Sequence, residues 1–225
     1  MTIFIKGNAD IVDATLSRSS GGAKLNEGVE ELIRKAYPDV QVSVQSEPSS
    51  GFGDLRSELE SGDATMISVG PTIVILSLAD DIRALGSRGA TPDEAVNNVR
   101  SDLVAVIDLI KDKVGAHVLL ATASTLDPSH EVFNYHGLDE EPLSLRAHRL
   151  DRLAVEVSHD DGISVVDVDR KIAELGGATG VAAALDYTAA GCEVIAGEIV
   201  RIIEDYGFFD ERPLLAQVGA RGAGK

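Results

Sequence analysis

The chain is poor in cysteine, in aromatic residues and in positive charge. It holds one cysteine, Cys192, no tryptophan, and only 4% aromatic residues among 225. A single cysteine excludes an intrachain disulfide. Cys192 lies in an apolar helical pattern, where its expected role is core packing. The shortage of aromatics argues against polysaccharide binding, which leans on stacking platforms. Lys and Arg number 20 against 37 Asp and Glu, a formal charge of −17. Phosphate backbones and anionic membrane surfaces need a basic face, so neither a nucleic-acid nor a membrane partner is expected. The acidic surplus serves solubility, with a cation or a basic partner as the sharper alternative. No apolar run is long enough to span a bilayer, and the first residues read as a strand rather than a secretory leader, so the expected location is cytoplasmic.

What is present is enough apolar matter for one sizeable core. Hydrophobic residues make up 44% of the chain, which excludes wholesale disorder, and the length fits one α/β domain. We expect a single domain over residues 1–218 and a flexible tail over 219–225. The organising stretch is Thr72-Ile73-Val74-Ile75-Leu76-Ser77-Leu78-Ala79-Asp80-Asp81. It is an unbroken apolar run, rich in β-branched residues, that ends in two carboxylates. Such a run reads as a strand buried on both faces in the middle of a parallel sheet. Ligands of open parallel sheets sit at the carboxyl ends of the strands. The position of Asp80 and Asp81 therefore marks a candidate site.

The rest of the pattern alternates strand and helix. Thr2 to Ile5 is a first strand, and Lys6-Gly7-Asn8-Ala9-Asp10 a turn at its end. Leu25, Val29, Leu32, Ile33 and Ala36 recur at helical spacing. Val40, Val42 and Val44 alternate with polar residues, as in a half-buried strand near an edge. Gly51 and Gly53 lie in a loop whose backbone N–H groups could approach a ligand, ahead of a short helix over 54–61. Thr91-Pro92-Asp93-Glu94 predicts a helix start with a capping box, the helix running to about Lys113 and ending at Gly115. Val118 to Thr122 is a fourth strand, 123–142 a long irregular segment, and 145–157 a helix. Ile163 to Asp169 is a fifth strand with an acidic end, Lys171 to Leu175 a helical turn or two, and Thr188 to Asp205 the last helix. Five strands alternating with helices predict right-handed βαβ units in a doubly wound, three-layer α/β/α sandwich with a five-stranded parallel sheet.

With its blocks in that order, the chain resembles the SGNH/GDSL hydrolases over nearly its whole length. Gly7-Asn8-Ala9 falls at that family's Gly-Asp-Ser turn, and Gly51 or Gly53 at its second-block glycine. Leu78-Ala79-Asp80-Asp81 falls at its Gly-x-Asn-Asp block, and Ala183-Ala184-Leu185-Asp186 at its late Asp-x-x-His. The resemblance implies a flavodoxin-like α/β/α fold. It also implies that Ala9 stands for the nucleophilic serine, Asp80 for the oxyanion asparagine, Asp186 for the histidine and Ala183 for its aspartate partner. Alanine offers no nucleophile, and an ionised aspartate repels the charge that an oxyanion hole must stabilise.

Three readings of the chemistry follow. One is a non-catalytic or repurposed protein that keeps a small-molecule site at the strand ends, lined by Asn8, Ala9, Asp10, Gly51, Gly53, Asp81 and Tyr187. A second is an enzyme using Asp80 and Asp186 as acid and base, unaided by a resident cofactor or with a divalent cation held by crowded carboxylates. The plainer role for Asp10 and Asp81 is to cap helices. A third is an ester or acyl hydrolase with a displaced serine, among Ser17, Ser19, Ser20, Ser49, Ser50 and Ser77, and a base among His130, His136 and His148. A phosphatase of the Asp-x-Asp type is not supported, because Asp10 and Asp13 are spaced by three rather than two.

Overall fold

The computed structural model describes residues 2–6, 19–20, 23–24, 28–45, 51–62, 71–122, 143–175, 182–183, 186–187 and 189–208. Five parallel strands form the sheet: β1 (Thr2–Lys6), β2 (Gln41–Gln45), β3 (Thr72–Ser77), β4 (His117–Ala121) and β5 (Ser164–Val166). Their spatial order is β2-β1-β3-β4-β5. The central stretch is thus the middle strand, with every residue from Thr72 to Ser77 buried. β2, with its alternating pattern, is an edge strand.

The two faces of the sheet separate by residue parity, because successive side chains of a strand point to opposite sides. Phe4, Val74, Leu76, Val118 and Leu120 enter one core layer. Ile3, Ile5, Ile73, Ile75, Leu119 and Val166 enter the other. The register lines these up in rows, with Phe4 beside Val74 and Val74 beside Val118, and with Ile5 beside Ile75 and Ile75 beside Leu119.

Helices cover both faces. The first layer is closed by α2 (Phe52–Ser61), α3 (Ala79–Ala84), α4 (Pro92–Val114) and α5 (Leu143–Asp161). The second is closed by α1 (Val29–Ala36), α6 (Val168–Glu174) and α7 (Ala189–Tyr206). In α4 the buried residues Ala95, Val99, Leu103, Val106, Ile107 and Ile110 form one stripe at helical spacing. Burying each large aliphatic side chain contributes about 1.5–3 kcal/mol. The α4 ends are as the sequence predicts: the Thr91 hydroxyl accepts from the Glu94 N–H at 3.2 Å, and Gly115 closes the helix in the left-handed region at φ 65°. Cys192 is buried in the second layer.

Two predicted strands stop earlier than the hydrophobic pattern implies. β3 ends at Ser77, so Asp80 and Asp81 belong to the first turn of α3 and not to the strand. The Ser77 hydroxyl accepts from the Ala79 N–H at 3.2 Å, which turns the chain. The carboxylates then meet the positive end of a helix rather than a sheet edge. β5 ends at Val166, and Val168 and Asp169 are helical. Here Asp167 caps α6 by accepting from the Arg170 N–H at 3.1 Å. Val168 is apolar because it packs inward from a helix, a burial that alternation alone cannot distinguish from a strand.

Candidate functional site

The strand order places the switch of direction between β1 and β3: the chain leaves β1 toward β2 and returns to the other side for β3. The crevice of a doubly wound sheet opens at the carboxyl ends of those two strands. At the β3 end, Leu78 is buried and passes directly into α3, which presents Asp80 and Asp81. Gly51, the residue that precedes α2, lies against Asp81 at the same edge.

Asp81 is the most constrained polar group there. It is fully buried, and its Oδ2 accepts from the Phe52 N–H at 3.0 Å. Its Oδ1 has no hydrogen-bond partner among the described residues. Burial pushes its carboxyl up to about 7, against the hydrogen bond from Phe52 and the nearby positive charge of Arg88, which pull down. Gly51 sits against this carboxyl at φ 99°, and a Cβ there would lie 2.6 Å from Oδ1. Gly53 lies close to Arg88, with a Cβ falling 2.8 Å from Nη1, the far end of a flexible side chain. Arg88 donates through Nη2 to Asp102 of α4, and Arg56 of α2 reaches the other oxygen of Asp102 at 3.4 Å. The glycine spacing is therefore explained first by internal packing: one glycine admits a carboxylate and the other a guanidinium.

Asp80 is different. Its side chain is 20% exposed, with Arg83 Nη1 3.4 Å away. It is on the first turn of α3 beside the crevice, so Asp80, Asp81, Gly51 and Gly53 share one edge. Asp81 caps the first turn of the neighbouring α2, not its own helix. Asn8, Ala9 and Asp10 lie outside the described residues, as do the 123–142 segment with His130 and His136, and the expected tail. Asp186 and Tyr187 pair with Ala182 and Ala183 in a two-residue antiparallel ladder just before α7. That is the chain position expected of the last block.

Of the serines, Ser77 is buried at the edge with its hydroxyl engaged by Ala79. Ser19 and Ser20 form a short ladder with Ala23 and Lys24, while Ser17, Ser49 and Ser50 are outside the described residues. His148 is exposed on α5. His117 is at the opposite, amino end of the sheet. Its Nε2 is 3.1 Å from the Ser164 hydroxyl and its ring 4.1 Å from that of Phe208, and burial pushes it down to about 4. Among the described residues, no group of three or more His, Cys, Asp or Glu side chains converges as a metal site, and no helix is long and apolar enough to cross a membrane.

Sequence reasoning missed Thr122, Arg88 and Asp102. Thr122 is buried just after β4, and its hydroxyl accepts from the Val168 N–H at 2.9 Å, tying the strand end to α6. A threonine ending an apolar run was the available signal. For Arg88 and Asp102 there was none, since a charge pair 14 positions apart has no local pattern. A groove of about 420 Å³ between α4 and α5, lined by Val96, Asn97, Arg149 and Leu153 among others, contains none of the sequence-predicted residues.

No family model and no curated protein matches the sequence. The structure is similar to solved ones. A member of the lipolytic protein G-D-S-L family from Veillonella parvula superposes with TM-score 0.61 at 14% identity, over 90% of this chain and 97% of that one. A lipase/acylhydrolase from Enterococcus faecalis gives 0.61 at 19%, over 91% and 96%. The acetylxylan esterase Axe2 from Geobacillus stearothermophilus gives 0.58 at 17%, over 94% and 96%. The fold is SGNH-hydrolase-like: a five-stranded parallel sheet between two layers of helices.

Proposed function

We propose that this chain uses the SGNH-like fold to bind a small molecule at the carboxyl edge of the sheet, without the serine–histidine pair that cleaves esters. The observation that carries this reading is Asp80. It sits on the first turn of α3, and the sequence resemblance aligns it with the oxyanion asparagine. An ionised carboxylate there opposes the negative charge that builds on a carbonyl oxygen during acyl transfer. Ala9 and Asp186, on the same alignment, supply neither nucleophile nor imidazole. Ser77, the serine at the end of the central strand, is buried and holds the turn into α3. The names of the similar structures, lipase and acetylxylan esterase, set the ligand class to try first: small acyl-bearing or acetylated compounds.

The test has two arms. Incubation with a fluorophosphonate probe and short p-nitrophenyl esters leaves the chain unlabelled and gives no turnover above buffer. A melting-temperature screen of short-chain acids, acetylated sugars and small amines finds a compound that raises the midpoint by mass action, and Asp80→Arg removes that shift. Labelling of a serine with accompanying turnover would overturn the reading, and so would a ligand shift indifferent to Asp80→Arg.

A further inference from the structure

Asp81 combines three features that packing alone does not require. Its carboxyl is fully buried yet keeps one oxygen without a partner among the described residues. Its other oxygen holds the Phe52 N–H, 29 positions away, at the first turn of α2. The chain beside it is held at φ 99° by a glycine whose missing Cβ leaves room for that carboxyl. Arg88 is close enough to bias Asp81 electrostatically, but it is held elsewhere: Nη2 donates to Asp102, and Nη1 lies against the Gly53 backbone. The Arg88 Nε, also buried, has no partner among the described residues either. The charged groups that bear on Asp81 are Arg88 from the turn before α4, Asp102 from α4 and Asp80 from its own helix.

We propose that Asp81 is a positioning residue, an acid-tightened latch that fastens the first turn of α2 to α3 and so fixes the Gly51–Gly53 backbone at the carboxyl edge. The sign follows from linkage. While the latch is closed, the carboxyl is dry and favours its neutral form; when the first turn of α2 opens, the carboxyl enters water and returns to its ordinary range. Opening therefore releases a proton between those two limits, and rising pH favours the open form. Burial sets the upper limit near 7, and the ordinary value of 3.8 sets the lower. The latch is tight in acid, loosens through the window, and levels off above neutrality. The latch is read without any ligand, so its failure leaves the binding proposal standing.

The experiment is amide hydrogen exchange on the intact chain, resolved at Phe52 and Gly53 and corrected for intrinsic exchange rates, from pH 4.5 to 8.5. In the parent, the protection factors fall by about tenfold per pH unit within the window and then level. In Asp81→Asn, which can still accept from the Phe52 N–H but does not titrate, they stay flat. A parent profile as flat as that of Asp81→Asn overturns the proposal. Carbon-13 NMR titration of the Asp81 carboxyl in the parent provides a check that needs no variant. A midpoint above about 6 supports the latch, and one below about 6 overturns it.

Discussion

Gly51 and Asp81 meet face to face: a methyl group at position 51 would lie 2.6 Å from Oδ1 and 2.8 Å from both Cγ and Oδ2 of the buried carboxyl. The φ of 99° adds backbone strain for any residue with a side chain. Gly51→Ala therefore suffers both penalties, about 2–4 kcal/mol together. Gly62 is the control, because its φ is 82° and a Cβ there meets nothing within 4 Å among the described residues. Gly62→Ala carries the strain alone, about 1 kcal/mol. Urea unfolding of the two variants measures the difference. Equal losses would show that the contact with Asp81 gives way freely.

Asp81 also marks the global stability curve. Its folded-state pKa is raised to about 7 from 3.8. A group raised in this way favours the folded state fully below the unfolded value, and that contribution is lost as pH rises through the folded value. Asp81→Asn removes the cost of burying a charge at neutral pH, at most about 3–4 kcal/mol, less whatever the new amide leaves unsatisfied. The variant is expected to melt several degrees above the parent at pH 8, with the gap closing toward about pH 4. A variant less stable than the parent across the whole range would show that the carboxylate is held favourably by groups near it.

These two cases show where sequence reasoning reaches and where it stops. The apolar run from Thr72 and the capping box at Thr91 are local signals, and both elements start where those signals put them. The order of strands and helices was legible for the same reason. Asp80 and Asp81 were legible as an edge feature, but not as a helical turn, because the hydroxyl of Ser77 decides that turn and a serine within an apolar run reads as strand. The roles of Gly51 and Gly53 were not legible at all. Their partners, Asp81 and Arg88, are about 30 positions away or more in sequence, and contact at that separation depends on the finished fold. Val168 was misread because a strand end and an inward-facing first helical turn bury the same kind of residue.

Glu198 works in the opposite sense to Asp81. It is buried on α7, and its two oxygens accept from Arg201 Nε at 2.8 Å and Nη2 at 2.7 Å, with Lys171 of α6 at 3.7 Å. The Arg201 hydrogen bonds hold its carboxyl below the usual glutamate value. A depressed folded value gives stability that is present above the unfolded value and lost as pH falls through the folded one. Glu198→Gln costs about 1–3 kcal/mol near pH 7, and its deficit shrinks as pH falls below the ordinary glutamate value of 4.5. Melting temperatures from pH 7 down to 3 test this; a constant deficit would assign the loss to packing between α6 and α7 instead.

Asp102 offers control of Asp81 from a distance. It is the acceptor that holds Arg88, and its own negative charge raises the Asp81 carboxyl. Asp102→Asn removes that charge and weakens the grip on Arg88, whose guanidinium is then freer to favour the Asp81 carboxylate. Both changes act in the same direction, lowering the pKa of Asp81. The window in which Phe52 loses protection should therefore move to lower pH by a fraction of a unit to about one unit. Arg56, the other partner of Asp102, provides the comparison. It also bonds Glu60 and is not among the groups that bear on Asp81, so Arg56→Ala leaves the window where it is. If Asp102→Asn shifts the window upward, Arg88 is drawn away from Asp81 when Asp102 loses its charge, and the order of influence around the carboxyl is reversed.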